Sequence, residues 1–321
     1  MTTDPVQFEA PAPKPEPDGE PSSFQRIMHQ VFLGPHGIRA GWRILIAVSL
    51  FLAIVTVLQA GLRRIPPLHA WSRAQPKGVM TPGILALSEG TAALALLLAA
   101  LIMTAIEKRS LGDYGLPGRE AFGKRFWQGM PYGFVMMSAA LGLIAVLHGV
   151  SIEGLALGTT AAVHYGLLYL LGFILVGFFE EFSFRGYLQA TLASGIGFWW
   201  AAIALSILFG TLHMGNPGEA RFGALMAGCF GLLAAFSLRR TGSIWFAIGM
   251  HAAWDWGETY FYGVPDSGIA AQGHLLNASF HGPVWLTGGT VGPEASVFSF
   301  VVLILSAAGL HFMFPAKPKE T

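Results

Sequence analysis

The sequence predicts an all-α membrane protein, a polytopic bundle of about eight transmembrane helices with its chemistry-bearing residues on the central ones. Three observations predict it. Of 321 residues, 53% are hydrophobic and 12% charged, and the mean hydropathy is +0.55. Apolar runs close to the ~20 residues that a bilayer-spanning helix needs also recur along the chain. A net charge of +1 without clustered Lys and Arg offers no surface for nucleic acid, because phosphate binding needs such clusters. A single cysteine, Cys229, excludes an intrachain disulfide and a Cys-based zinc site, and reads as a buried structural thiol.

Residues 1–40 interleave Pro5, Pro11, Pro13, Pro15, Pro17 and Pro21 with Asp, Glu and Lys. That composition cannot bury a core, so the expectation is a disordered, Pro-rich cytoplasmic tail. The first apolar run begins only at Ile44 and is long enough to span, unlike the short early apolar region of a secretory signal. A polytopic membrane domain follows over 42–315. Its spans are placed at 42–62, 82–106, 129–148 and 161–179, then 198–212, 222–238, 243–256 and 295–314. The middle ones are short or tilted and broken by glycines, which membrane bundles tolerate.

Flanking charge sets the expected orientation. Arg39 and Arg43 precede the first span, and Lys108, Arg109, Arg119, Lys124 and Arg125 lie between the second and third. Arg185, Arg239, Arg240, Lys317 and Lys319 fall on the same side. Both termini are therefore expected in the cytoplasm and the protein in a cell (inner) membrane. The loop 63–77 runs against this pattern, since it carries four basic residues, Arg63, Arg64, Arg73 and Lys77. The loop 257–294 reads as a long extracytoplasmic connection. Trp199, Trp200, Trp254 and Trp256 read as an interfacial belt, with a substrate-groove lining as the alternative for Trp254 and Trp256, which flank Asp255, and Glu89 reads as a helix-start or headgroup residue.

The informative residues are the charged ones inside apolar runs. Each costs about 2.5–3.5 kcal/mol at a helix centre on insertion scales, so several in one bundle imply a functional site. Glu180, Glu181 and Arg185 close the run 161–179, while later spans carry Phe209-x3-His213 and His251-x3-Asp255. On a helix Glu181 and Arg185 share a face and can pair, and Glu180 points about 100° away, unpaired. His251 and Asp255 have the same separation, which would let Asp255 set the position and tautomer of the imidazole. A carboxylate and two histidines from three helices can deprotonate water and stabilise the oxyanion formed by attack on an amide. Peptide-bond hydrolysis is the natural reaction class. The chain has no GxSxG, GxGD or HExxH, so the serine, aspartyl and HExxH-zinc versions of that chemistry have no motif here.

Glu180-Glu181-Phe182-Ser183-Phe184-Arg185, Phe209-Gly210-Thr211-Leu212-His213 and His251-Ala252-Ala253-Trp254-Asp255 resemble the ordered motifs EExxxR, FxxxH and Hxxx(N/D) of the CPBP family. That family comprises CAAX-type prenyl proteases and bacteriocin-processing or immunity proteins. The resemblance covers about 161–257, and 108–116 is also similar to a segment that precedes the family's core. It implies an intramembrane endopeptidase acting on a membrane-anchored or lipidated polypeptide. Glu180 would be the essential carboxylate, His213 would help it activate water, and His251 with Asp255 would occupy the oxyanion position. Glu181 and Arg185, with Phe209, would be supports. Members of the prenyl-protease branch usually have Asn where this chain has Asp255, and an ionised Asp255 cannot donate a hydrogen bond. Glu180, His213 and His251 are also the His2Glu ligand types of a catalytic zinc, so a zinc-dependent version with Glu181 as base stays open beside a metal-free one. A non-proteolytic immunity or scaffold role and a proton-relay transporter are the remaining readings.

Overall fold

The computed structural model describes residues 31–34, 37–215 and 221–315; most of the expected tail lies outside them. Its last residues pair as a short antiparallel hairpin, Leu33–Gly34 with Gly37–Ile38. That hairpin leads into α1 (Ala40–Arg63), then α2 (Pro66–Ala74), α3 (Pro82–Glu107) and α4 (Lys124–Val146). A strand, Val150–Leu155, precedes α5 (Thr159–Glu181), which runs through π-helical turns at Phe182–Leu188 into α6 (Gln189–Ile196). The chain then reverses at Gly197 into α7 (Phe198–His213), followed by α8 (Arg221–Thr241), α9 (Trp245–Asp255) with π-helical turns at Trp256–Tyr262, and α10 (Val297–Met313).

All eight expected spans are helices, and among the described residues five stretches are long and apolar enough to cross a membrane: α1, α3, α4, α5 with α6, and α8. α7 and α10 are shorter and apolar. The expected third span begins earlier, at Lys124, because Pro131 sits inside α4 without ending it. The basic loop 63–77 is in large part α2, started by Pro66 and Pro67 in its first turn, where a proline needs no N–H.

Every residue of α9 is buried. It is a core helix, and glycines let its neighbours close on it at backbone distance, as in tight membrane packing. A Cβ at Gly133 of α4 would stand 1.9 Å from the Met250 carbonyl oxygen, one at Gly129 2.2 Å from that of Phe246, and one at Gly177 of α5 2.8 Å from that of Ile248. Gly249 closes the contact from the α9 side, 2.3 Å from the Phe126 carbonyl by the same measure. Gly133→Ala is therefore expected to destabilise the fold by about 1–3 kcal/mol through overpacking. Gly142→Ala, on the same helix with open space around it, should be close to neutral. Paired thermal unfolding in detergent compares the two, and equal midpoints would disprove the close approach.

The connection 257–294 is folded rather than an open loop. Leu276–Phe280 pairs antiparallel with Val150–Leu155, and backbone bonds between Met80 and Ala270 and between Gln272 and Met80 tie it to the start of α3. Tyr169 clamps the same place, its single O–H shared between the carbonyls of Met80 and Gln272, 2.9 and 2.8 Å away. The connection is thereby held against the bundle.

Candidate active site

Three helices supply the site. α5 ends on Glu180 and Glu181, its π-helical extension carries Arg185, α7 ends on His213, and α9 ends on His251 and Asp255. The π turns matter locally. Gly186 has a non-helical backbone there (ψ −107°), and a Cβ on it would lie 2.4 Å from the Phe182 ring. A substituted residue would not let the segment re-aim Arg185 inward.

Glu181 is fully buried and organises the centre. Its Oε1 accepts from Arg185 Nη1 at 3.3 Å and from His251 Nδ1 at 2.8 Å. The first of these is the expected pair. The second corrects the expectation that Asp255 fixes the imidazole. Asp255 Oδ2 stands 3.6 Å from His251 Nε2, beyond a hydrogen bond, whereas Glu181 holds Nδ1 and so sets the tautomer. The same Nε2 faces Glu180 Oε2, also at 3.6 Å. That oxygen is buried and has no hydrogen-bond partner among the described residues.

Arg185 is held on several sides. Its Nε donates to the Gly231 carbonyl at 3.3 Å, and its guanidinium lies 4.4 Å from the centre of the Phe209 ring, a cation–π distance. Gly231 leaves it room, since a Cβ there would lie 2.2 Å from Nη2. The other face of the arrangement belongs to His213. Its ring is 4.4 Å from Phe209, and its Nδ1 shares a 2.9 Å hydrogen bond with the Phe209 carbonyl. Donation to that carbonyl leaves Nε2 as the free ring nitrogen. Phe209 thus supports both Arg185 and His213.

His213, His251 and Asp255 line one cavity of about 30 Å³, together with Phe230, Trp254 and Glu294. Glu180 does not line it and meets it through His251. For zinc, the three His2Glu ligand atoms would each stand about 2.0–2.2 Å from the metal, so within about 4.4 Å of one another. Glu180 and His251 meet this, but among the described residues His213 does not complete a set within 4.8 Å with them. The donor set for zinc is not assembled.

Several site residues were not legible in the sequence. Phe230 packs its ring 4.9 Å from His251, without any signal that separates it from other core phenylalanines. Trp254 is buried, donates to Glu294 Oε1 at 3.2 Å and lines the cavity, so it leaves the expected interfacial belt, while Trp199 and Trp200 are exposed. Glu89 lies inside α3, whose N-cap is Thr81, and within electrostatic reach of Glu180, not at a helix start. Its position in an apolar run was the available signal. Cys229 is a free, half-buried thiol.

Residues 162–257 match the family model described as type II CAAX prenyl endopeptidase, Rce1-like. No curated protein matches the chain. The match bears out the CPBP resemblance and, at the level of the family, supports a membrane-embedded protease of the CAAX-endopeptidase type.

Proposed function

We propose, with that family match as the premise, that the protein hydrolyses a peptide bond of a membrane-anchored or lipidated polypeptide, using Glu180 and His213 to activate water. The observation that carries the reading is the placement of His251, held at Nδ1 by Glu181 with Nε2 turned to Glu180. Such a constellation has a high desolvation cost, which a scaffold role leaves unexplained.

The unpartnered Glu180 Oε2 takes a proton from water, with His213 holding the water from the cavity side. The hydroxide adds to the amide carbon, and the carbonyl π pair moves onto oxygen. In its doubly protonated form His251 presents an Nε2–H to that oxyanion, while Glu181, bonded at Nδ1, positions the ring and Asp255 lies 3.6 Å from the same Nε2. When the tetrahedral species collapses, the C–N bond breaks and the amine leaves with the proton held by Glu180. The products are a carboxylate and an amine, and no step passes through a metal.

The test is cleavage of a fluorogenic membrane-anchored peptide panel, prenylated and unprenylated, by the full chain in proteoliposomes, with and without a chelator. Cleavage of one class with chelator resistance is the expected result. Chelator loss restored by zinc would overturn the metal-free mechanism, and folded protein that cleaves no panel member would overturn the peptidase reading.

A further inference from the structure

Beyond the catalytic residues, three carboxylates that no motif contains come together where the continuation of α9 meets the connection 257–294. Glu258, Asp266 and Glu294 each present an oxygen within 4.8 Å of the others. Two oxygens on opposite sides of a calcium ion, each about 2.3–2.6 Å from it, are that far apart.

Their surroundings separate this group from an ordinary acidic patch. Glu258 is fully buried, and neither of its oxygens has a hydrogen-bond partner among the described residues. The other two acids are oriented by donors, as metal ligands commonly are. Asp266 Oδ2 accepts from Thr259 Oγ1 at 2.8 Å. Glu294 accepts from Trp254 Nε1 at 3.2 Å on Oε1, and from the Ser267 backbone N and Oγ at 3.1 and 2.9 Å on Oε2. Gly292, at φ +110°, closes the wall with bare backbone, and a Cβ there would stand 3.1 Å from Glu258 Oε1.

Among the described residues none of the three acids makes an ion pair, and no hydrogen bond runs between them. A buried carboxylate with no counter-charge is costly, so either protons or a cation must neutralise the group. The Glu258 oxygens, buried and without a hydrogen-bond partner among the described residues, are open to a cation. We propose that Glu258, Asp266 and Glu294 form a binding site for a hard divalent cation of the calcium class. Glu294 and Ser267 also line the cavity of His213, His251 and Asp255, so the bound ion fastens the connection 257–294 to the wall of that cavity. Binding does not depend on the peptidase reading.

The experiment uses the purified full chain in detergent. Calcium binding is measured by equilibrium dialysis, and terbium serves as an optical probe excited through Trp254, the indole bonded to Glu294. Expected are one saturable calcium ion per chain, displacement of terbium by calcium, and a melting temperature raised by calcium and lowered by chelator. Asp266→Asn, nearly isosteric, and Glu258→Gln should each weaken binding at least ~10-fold with the helical content unchanged. No saturable calcium binding up to about 10 mM, beyond the weakest natural sites, would overturn the proposal in the wild type, whatever the variants do. Unchanged affinity in Glu258→Gln would overturn it in favour of protonated acids. Zinc binding in place of calcium would overturn the oxygen-ligand class.

Discussion

Glu180→Gln is expected to lower kcat for cleavage of the membrane-anchored peptide by about 10²–10⁴-fold, the range supplied by a general base, while KM and the melting temperature stay near wild type. The reason lies in its contacts. The Glu180 side chain is 23% exposed and meets His251 only at 3.6 Å, and its Oε2 gives up no hydrogen bond on substitution. The fold therefore loses little, and the chemistry loses its proton acceptor. Single-turnover cleavage in proteoliposomes beside thermal unfolding separates these. Activity within about 3-fold of wild type would remove Glu180 from the base role.

Arg185→Met is expected to cost about 3–5 kcal/mol of stability, because it leaves the Glu181 carboxylate buried without its counter-charge. It also withdraws the guanidinium from Phe209, 4.4 Å away, and with it the support shared with His213. Adding Glu181→Gln to Arg185→Met should recover much of the stability, since replacing both partners removes the uncompensated charge. Activity should not return with it, because His251 Nδ1 would then bond a neutral amide in place of the carboxylate it meets at 2.8 Å. A double-mutant cycle on unfolding, read beside cleavage, checks this. Additive stabilities would mean that the pair is not coupled, and recovered activity would mean that the carboxylate is not what positions His251.

Glu181 shows how far each level reaches. Four-residue spacing gives its partnership with Arg185, because i and i+4 share a helix face whatever the fold. The same rule offered Asp255 to His251, but the imidazole donates its hydrogen bond to Glu181 of α5 instead. The glycine contacts that press α9 against α4 and α5 bring Glu181 closer than the residue one turn away on its own helix. Spacing rules compare positions along one helix and are blind to a neighbour that approaches at backbone distance.

By itself the sequence determined the all-α membrane bundle and where its helices fall, because the transfer of apolar side chains out of water depends on composition and run length alone. It also determined which residues were worth suspecting, Glu180, Glu181, Arg185, His213, His251 and Asp255, because charge inside an apolar run is costly wherever the run ends up. Only the tertiary structure decided which of them touch, that Phe230 and Trp254 wall the cavity, and that the connection 257–294 folds back with Asp266 and Glu294 beside Glu258. Those outcomes depend on contacts between residues distant in the chain, which local periodicity does not encode.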